Sequence, residues 1–144
     1  KVLVSGDNVP LLLFEKLHTV VPDSSLLVLR ESTGTAIWSN IFIANDTNYD
    51  GNIFPAGYPL VNQYCRVVDA FGRDCPDYVS GELWVAGMSL AIGYQGEPNT
   101  TSEAFVWYRG IRWYRTGDSV YYQPDGVLIS SGRIKQYVLL HGRN

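Results

Sequence analysis

Two polar residues near the end of the sequence have types and spacing suited to binding a small molecule. Asp118 closes the run Tyr-Arg-Thr-Gly-Asp at residues 114–118, and Arg133 follows Gly132 further along the chain. A carboxylate that follows a tight Thr-Gly turn can accept hydrogen bonds from two neighbouring hydroxyl groups. In an isolated motif, a turn-capping aspartate and a surface arginine are the commoner explanation. Whether the two residues form a binding site or are an ordinary turn aspartate and surface arginine therefore depends on the strands and helices around them.

Residues 1–50 have the pattern of an α/β unit. Apolar runs at residues 2–4, 26–29 and 37–43 predict three strands. Between the first two runs, apolar residues in helical spacing predict a helix whose N-terminus is capped by Asp7. A strand–helix–strand unit of this length predicts a parallel pair of strands joined by a crossover helix.

After residue 50 the pattern changes to short β-type runs separated by glycine and proline. The runs lie at residues 64–68, 83–86, 104–108, 113–115, 120–123 and 127–130. Several strands at roughly ten-residue spacing predict a small barrel or sandwich. The sequence therefore predicts the edge of an α/β lobe followed by a small β-barrel.

Composition restricts the possible functions. A hydrophobic share of 46% with 17% charged residues is typical of a globular domain. The net charge is −3 and no cluster of Lys and Arg occurs, which argues against nucleic-acid and anionic-membrane partners. No apolar run approaches the roughly 20 residues of a bilayer span. Cys65 and Cys75 could form a disulfide, but without other signs of secretion free thiols and a cytoplasmic location are expected.

Three motifs in a fixed order connect the sequence to a known family. They are Gly-Glu-Leu-Trp-Val-Ala-Gly at residues 81–87, Trp-Tyr-Arg-Thr-Gly-Asp at 113–118 and Gly-Arg-Ile-Lys at 132–135. Each motif is short, but their order and spacing resemble the adenylate-forming enzymes, and in particular the adenylation domains of nonribosomal peptide synthetases. The resemblance extends over essentially the whole chain.

This resemblance implies the C-terminal part of the large subdomain of an adenylate-forming enzyme. Residues 1–50 would be the end of its α/β subdomain, with the substrate-pocket strands. Residues 51–131 would form its distorted β-barrel, and residues 132–144 a hinge segment leading to a C-terminal domain that the sequence does not contain. The upstream phosphate loop and the C-terminal catalytic lysine would also lie outside these residues.

The family joins a carboxylic acid to ATP, which yields acyl-AMP and pyrophosphate. By resemblance, Asp118 is expected to accept the ribose 2′- and 3′-hydroxyls, with Arg133 and Tyr114 beside the nucleotide. Thr33 is expected in the catalytic loop. Lys135 stands where the family has the pivot about which the C-terminal domain rotates.

The run Ala-Ile-Trp-Ser-Asn at residues 36–40 resembles the cysteine-activating, thiazoline-forming subset of the family. By resemblance, the residues that would line the amino-acid pocket are Leu3, Ser5, Leu29, Ile37 and Trp38. Small and aliphatic side chains with one hydroxyl suit a compact, weakly polar substrate such as cysteine. For Leu3 and Leu29, a plain core position is an equally good explanation.

The sequence departs from the family where the family binds metal. The glutamate that helps to hold Mg²⁺ on ATP falls on Gly34, so no metal ligand is assigned. Two preceding glycines are replaced by Arg30 and Glu31. Near the hinge, family residues are replaced by Tyr137, Leu139 and His141. These differences predict weakened adenylation.

Three hypotheses follow from these observations. The first is part of an enzyme that uses ATP and Mg²⁺ to activate cysteine and load it on the phosphopantetheine of a carrier protein. Its other partners would be condensation or cyclisation domains and the remaining N- and C-terminal parts of the adenylation domain. The second is an inactive remnant that serves as a scaffold within a synthetase. The third is another acyl-adenylate-forming ligase, such as an acyl-CoA synthetase.

Overall fold

A computed structural model describes residues 1–6, 8–44 and 52–134 of the chain. Within these residues the strands and helices alternate at first and then become strand-rich. In chain order they are β1 (Val2–Ser5), α1 (Leu12–Val20), β2 (Leu26–Glu31), β3 (Trp38–Ala44), β4 (Tyr58–Pro59), β5 (Gln63–Val68), β6 (Gly81–Gly87), α2 (Pro98–Ala104), β7 (Phe105–Tyr108), β8 (Ile111–Tyr122) and β9 (Leu128–Arg133).

The first sheet has the strand order β1-β2-β3-β4. Strands β1 and β2 are parallel, and helix α1 connects them as the sequence predicts. Strands β3 and β4 continue the sheet with antiparallel pairing. One face of this sheet forms a core with α1 and part of β9. Its buried residues are Val9, Leu26, Val28, Phe42, Ala44, Phe54 and Val127.

Helix α1 begins later than expected. Its first residue is Leu12, and Leu11 occupies the N-cap position without a side-chain hydrogen bond. The predicted cap, Asp7, lies outside the described residues, and its assignment as N-cap is wrong. Pro10 instead forms an antiparallel bridge with Ile53, so the chain before the helix is tied to a neighbouring segment in extended form.

The second sheet has the order β5-β6-β8-β7, and β9 pairs with the second half of β8. The two runs predicted at residues 113–115 and 120–123 are one continuous strand. Gly117, expected in a tight turn, lies within β8 with a φ of 74°. Glycine adopts this left-handed conformation without steric cost, so the strand can bend there and still continue.

The mixed α/β class is confirmed, but the described strands do not close into a barrel. Instead two isolated bridges link the sheets: Gly57, just before β4, bridges Leu128 of β9, and Thr35, between β2 and β3, bridges Leu90, which follows β6. The boundary predicted between residues 50 and 51 lies outside the described residues. Helix α2 is short and begins with a proline at its first turn, a signal that favours helix N-termini but was not recognised in the sequence.

Two further observations concern the described residues as a whole. Neither of their helices is long and apolar enough to cross a membrane. Cys65 and Cys75 are free thiols, and burial raises the pKa of Cys65 to about 11, with a smaller opposing contribution from a hydrogen bond to Asn40.

Candidate functional site

A cleft of about 510 Å³ lies where the two sheets meet. One side, here called the loop wall, is residues 31–37, which comprise the last residue of β2 and the loop that leads to β3. It contributes Glu31, Ser32, Thr33, Thr35 and Ile37 to the cleft. The other side, the strand wall, comprises the cleft-lining residues of β8 and β9. It contributes Tyr114, Thr116, Asp118 and Arg133.

Asp118 is the buried carboxylate of the strand wall, with 7% of its surface exposed. It lies opposite Arg133 in the β8–β9 pairing, and Arg133 Nε donates a hydrogen bond of 3.0 Å to its Oδ1. Its backbone N–H donates to Thr116 Oγ at 3.0 Å, and the Thr116 hydroxyl donates to the carbonyl of Leu83 at 2.9 Å. The bend at Gly117 is thereby held on both sides, and the carboxylate faces the cleft.

Arg30 holds the other oxygen of Asp118. It lies in β2 and is buried, and its Nη2 is 3.4 Å from Asp118 Oδ2. The same nitrogen lies 3.5 Å from Ser130 Oγ on β9. The sequence analysis assigned Arg30 no role. One signal was available, because an arginine in an otherwise apolar strand needs a carboxylate partner if it is buried.

Tyr114 connects the two walls. It is buried, its hydroxyl lies 3.1 Å from that of Tyr94, and it also hydrogen-bonds the side chain of Thr33. Burial, reinforced by the Tyr94 contact, raises the Tyr114 pKa well above its usual range, so the phenol stays neutral at physiological pH. Thr33 and Tyr114, predicted independently, are therefore in direct contact.

Gly34 packs against the ring of Tyr114. A Cβ atom built at Gly34 would overlap the ring atoms Cγ, Cδ2 and Cε2, so no larger side chain fits unless Tyr114 moves. The resemblance leads one to expect a metal-binding glutamate at position 34, but the residue present has no carboxylate and the ring of Tyr114 occupies the space beside it. The residues present at this position do not fit a Mg²⁺ site.

Ser5 and Trp38 meet at the end of the loop wall. The Trp38 indole N–H donates to Ser5 Oγ at 3.0 Å, and the Ser5 hydroxyl donates to Glu31 Oε1 at 2.6 Å. Glu31 also lines the cleft, so it connects the predicted pocket residue Ser5 to the cleft. This network was missed because it depends on contacts between three strands.

The other predicted pocket residues are arranged differently. Leu29 is buried and pairs with Ser5 in the sheet, whereas Leu3 lies two positions earlier on β1 and is 57% exposed. Ile37 lines the cleft with a φ of 65°, which is strained for a β-branched residue. Among the described residues that line the cleft, Ile37 is the one that was predicted as a pocket residue.

The chain was compared with known proteins. No family model matches it. Phenyloxazoline synthase MbtB of Mycobacterium tuberculosis is 42% identical over 144 residues, which is 98% of this chain and 10% of that protein. Pyochelin synthetase PchE of Pseudomonas aeruginosa is 43% identical over 143 residues, covering 99% and 10%. The anguibactin system regulator of Vibrio anguillarum is 39% identical over 140 residues, covering 97% and 13%.

Solved structures give the same family. The nonribosomal peptide synthetase FmoA3, bound to α-methyl-L-serine-AMP, superimposes with a TM-score of 0.86 at 33% identity, over 91% of this chain and 15% of that one. PA1221, a synthetase protein with adenylation and PCP domains, gives a TM-score of 0.86 at 26% identity, over 98% and 30%. This chain belongs to the adenylation-domain family of nonribosomal peptide synthetases.

The adenylation-domain chain spans about a tenth of the length of the curated relatives it matches. Its described residues hold no group of three or more His, Cys, Asp or Glu side chains that could bind a metal ion. Lys135, the predicted pivot, lies outside the described residues, as do Tyr137, Leu139 and His141.

Proposed function

We propose that this chain forms part of an adenylation domain that converts an amino acid and ATP into aminoacyl-AMP and pyrophosphate. The observation that carries the proposal is the Asp118 carboxylate, buried at the cleft within its Thr-Gly-Asp motif and held in place by Thr116 and two arginines. A carboxylate fixed in this way is a pre-oriented acceptor for the two hydroxyls of a ribose.

The residues of the two walls have distinct parts in binding. Asp118 accepts hydrogen bonds from the ribose, and Arg133, whose side chain is 46% exposed, can turn from Asp118 toward the nucleotide. The neutral Tyr114 holds Thr33 at the cleft. ATP supplies the α-phosphorus that the substrate carboxylate attacks, and the chain's own residues orient the two reactants. Lys135 is proposed as the pivot of the C-terminal domain. No step is assigned to Mg²⁺ at Gly34, since the residues there do not fit it.

We propose L-cysteine as the amino acid. The support is the Ala-Ile-Trp-Ser-Asn run at residues 36–40 and the hydrogen bond between the Trp38 indole and the Ser5 hydroxyl, with Ile37 lining the cleft. The product would pass to the phosphopantetheine thiol of a carrier protein, with condensation or cyclisation domains as further partners and the cytoplasm as the location. Solved relatives are consistent with this chemistry, since AB3403, at 32% identity and a TM-score of 0.82, is described bound to AMP and glycine.

A second candidate function is an inactive scaffold. Two observations favour it: Gly34 offers no carboxylate, and Asp118 already contacts Arg30 and Arg133. In that case the fold would be retained for contacts with neighbouring domains while nucleotide binding is lost. Another acyl-adenylate-forming ligase is the third candidate, with a non-amino acid as substrate.

Amino-acid-dependent ATP–pyrophosphate exchange on the full-length protein that contains this segment tests these alternatives. Exchange with L-cysteine above a panel of other acids is expected, and Asp118→Asn should reduce kcat/KM for ATP by about tenfold or more, the scale of a lost charge-assisted bond. Asp77→Asn, at an exposed aspartate outside the cleft, is the control and should have little effect. No exchange with any acid by the folded protein would favour the scaffold.

A further inference from the structure

The carboxylate of Asp118 needs more than its backbone to keep one orientation. The hydrogen bond from its N–H to Thr116 Oγ fixes the main chain. The terminal torsion of an aspartate side chain has a broad energy minimum, however, so the plane of the carboxylate can still turn. Two arginines restrict that turn, because Arg133 lies 3.0 Å from Oδ1 and Arg30 lies 3.4 Å from Oδ2. Each carboxylate oxygen is therefore held by a cation.

The two arginines differ in how firmly they are placed. The Arg133 side chain, at the end of β9, is 46% exposed, whereas that of Arg30 is 10% exposed. Arg30 shares the core-facing side of β2 with Leu26 and Val28, because side chains at alternate positions of a strand lie on one face. Its Nη2 also lies 3.5 Å from Ser130 Oγ. A ligand that enters the cleft can displace Arg133, but Arg30 stays in place.

Contact with Arg30 leaves the carboxylate able to bind a ligand. The two oxygens of a carboxylate can together accept about four hydrogen bonds. The ion pairs with Arg30 and Arg133 engage one oxygen each, so acceptor capacity remains for hydroxyl groups. The resemblance to the family leads one to expect glycine at position 30, so it does not imply this contact. Arg30 therefore fixes the direction in which the remaining acceptor positions of Asp118 point.

We infer that Arg30 is a positioning residue that orients the Asp118 carboxylate toward the two hydroxyls of a ribose, so that the cleft prefers ribonucleotides over deoxyribonucleotides. A carboxylate that is free to turn would lose part of its bond to each hydroxyl, while the base and the phosphates could still bind. This inference rests on the proposed function, because it assumes that the ribose of ATP binds at Asp118.

Calorimetric titration of the full-length protein with ATP, 2′-deoxy-ATP and 3′-deoxy-ATP tests the inference. The native protein should bind ATP about tenfold more tightly than either analogue, since each analogue lacks one charge-assisted hydrogen bond. Arg30→Met, which removes the charge but keeps an unbranched side chain, should reduce this preference to about threefold or less by weakening ATP most. Arg30→Lys, which keeps the charge but not the planar fork, should retain an intermediate preference.

Two further variants complete the experiment. Arg109→Met is the matched control, since Arg109 is an exposed arginine outside the cleft, and it should bind all three nucleotides like the native protein. Ser130→Ala tests the same role without removing a buried charge. It deletes the hydroxyl beside the Arg30 guanidinium and should lower the preference for ATP by about twofold, as expected for one weak hydrogen bond.

A preference that is unchanged in folded Arg30→Met overturns the inference. Equal weakening of all three nucleotides overturns it too, since that is the result of a purely structural role. If Arg30→Met does not fold, an unchanged preference in Ser130→Ala has the same meaning. A native protein that binds none of the three nucleotides also contradicts the inference.

Pyrophosphate exchange measured on the same samples separates this inference from the proposed function. Exchange that persists in Arg30→Met with an unchanged preference removes the role of Arg30 and leaves adenylation intact. Absence of exchange with every acid in the native protein removes adenylation, while the nucleotide titrations still decide whether Arg30 positions Asp118.

Discussion

The two walls of the cleft are built differently. The strand wall presents buried Asp118 and Tyr114, fixed by strand pairing and by hydrogen bonds from β8 and β9. The loop wall presents the exposed residues Glu31, at the end of β2, and Thr33 and Ile37, in the loop that follows. The strand wall contains the Tyr-Arg-Thr-Gly-Asp run that carries the resemblance to the family, whereas the loop wall has Gly34 where that resemblance leads one to expect a glutamate.

The difference between the walls indicates which positions tolerate substitution. A residue in the paired strands is constrained by neighbours on both sides, so changes there disturb the sheet. A loop residue changes more easily, provided that the opposite wall accommodates it. Here the accommodation is visible, because Tyr114 packs where a side chain at position 34 would lie and Asp118 contacts Arg30. Four substitutions measure how tightly the walls depend on each other.

Asp118→Ala should have the largest effect. It removes the carboxylate opposite the buried Arg30, and breaking a buried pair by removing one partner costs about 3–5 kcal/mol in the free energy of unfolding. Urea denaturation of the full-length protein checks this, with Asp77→Ala as the control. Asp77 is an exposed aspartate outside the cleft, and its replacement should cost about 0.5 kcal/mol or less. Equal effects of the two substitutions would mean that the burial of Arg30 does not require the Asp118 carboxylate.

Gly34→Ala comes next. The added methyl group overlaps the ring of Tyr114, and overpacking of this kind costs about 1–3 kcal/mol of stability. The cost should fall in a Tyr114→Ala background, where the ring is absent. A thermodynamic cycle of the two single variants and the double variant measures this coupling. Additive effects would show that the ring of Tyr114 does not cause the loss of stability in Gly34→Ala.

Tyr114→Phe keeps the ring on Gly34 but removes the hydroxyl that contacts Tyr94 and Thr33. The loss should be about 0.5–1.5 kcal/mol of stability, the net value of a typical hydrogen bond. Tyr78→Phe, at an exposed tyrosine, is the control for removing a phenol hydroxyl and should be nearly neutral in denaturant unfolding. If Tyr114→Phe changes the free energy of unfolding no more than its control does, the contact of the Tyr114 hydroxyl with Thr33 does not stabilise the packing of the two walls.

Trp38→Phe should have the smallest effect. It removes the indole N–H that donates to Ser5 while keeping an aromatic ring at the loop wall. Since the contact is partly exposed, the KM for the amino acid should rise by about twofold to fivefold with little change in the KM for ATP, as expected for one modest hydrogen bond. An equal rise in the KM for ATP would mean that Trp38 stabilises the cleft as a whole. It would then have no specific role in binding the amino acid.

Much of the local structure was predictable. Apolar runs separated by glycine and proline residues predicted the positions of most of the strands. The helix predicted between β1 and β2 indicated that these two strands are parallel. Element boundaries were less accurate, as the start of α1 at Leu12 shows. The single strand β8 was divided in two because Gly117 is a turn signal in sequence but a bend within a paired strand in the structure.

The sequence alone determined the family, the strand and helix segments, and the motif that contains Asp118, because these depend on residues close together in the chain. Tertiary structure decided which distant residues meet. Ser5 and Glu31 are 26 positions apart, and Arg30 and Ser130 are 100 apart. Such pairs depend on how two sheets pack, and local periodicity carries no information about that packing. For this reason the roles of Arg30, Glu31 and Gly34 became visible only when the two walls were brought together.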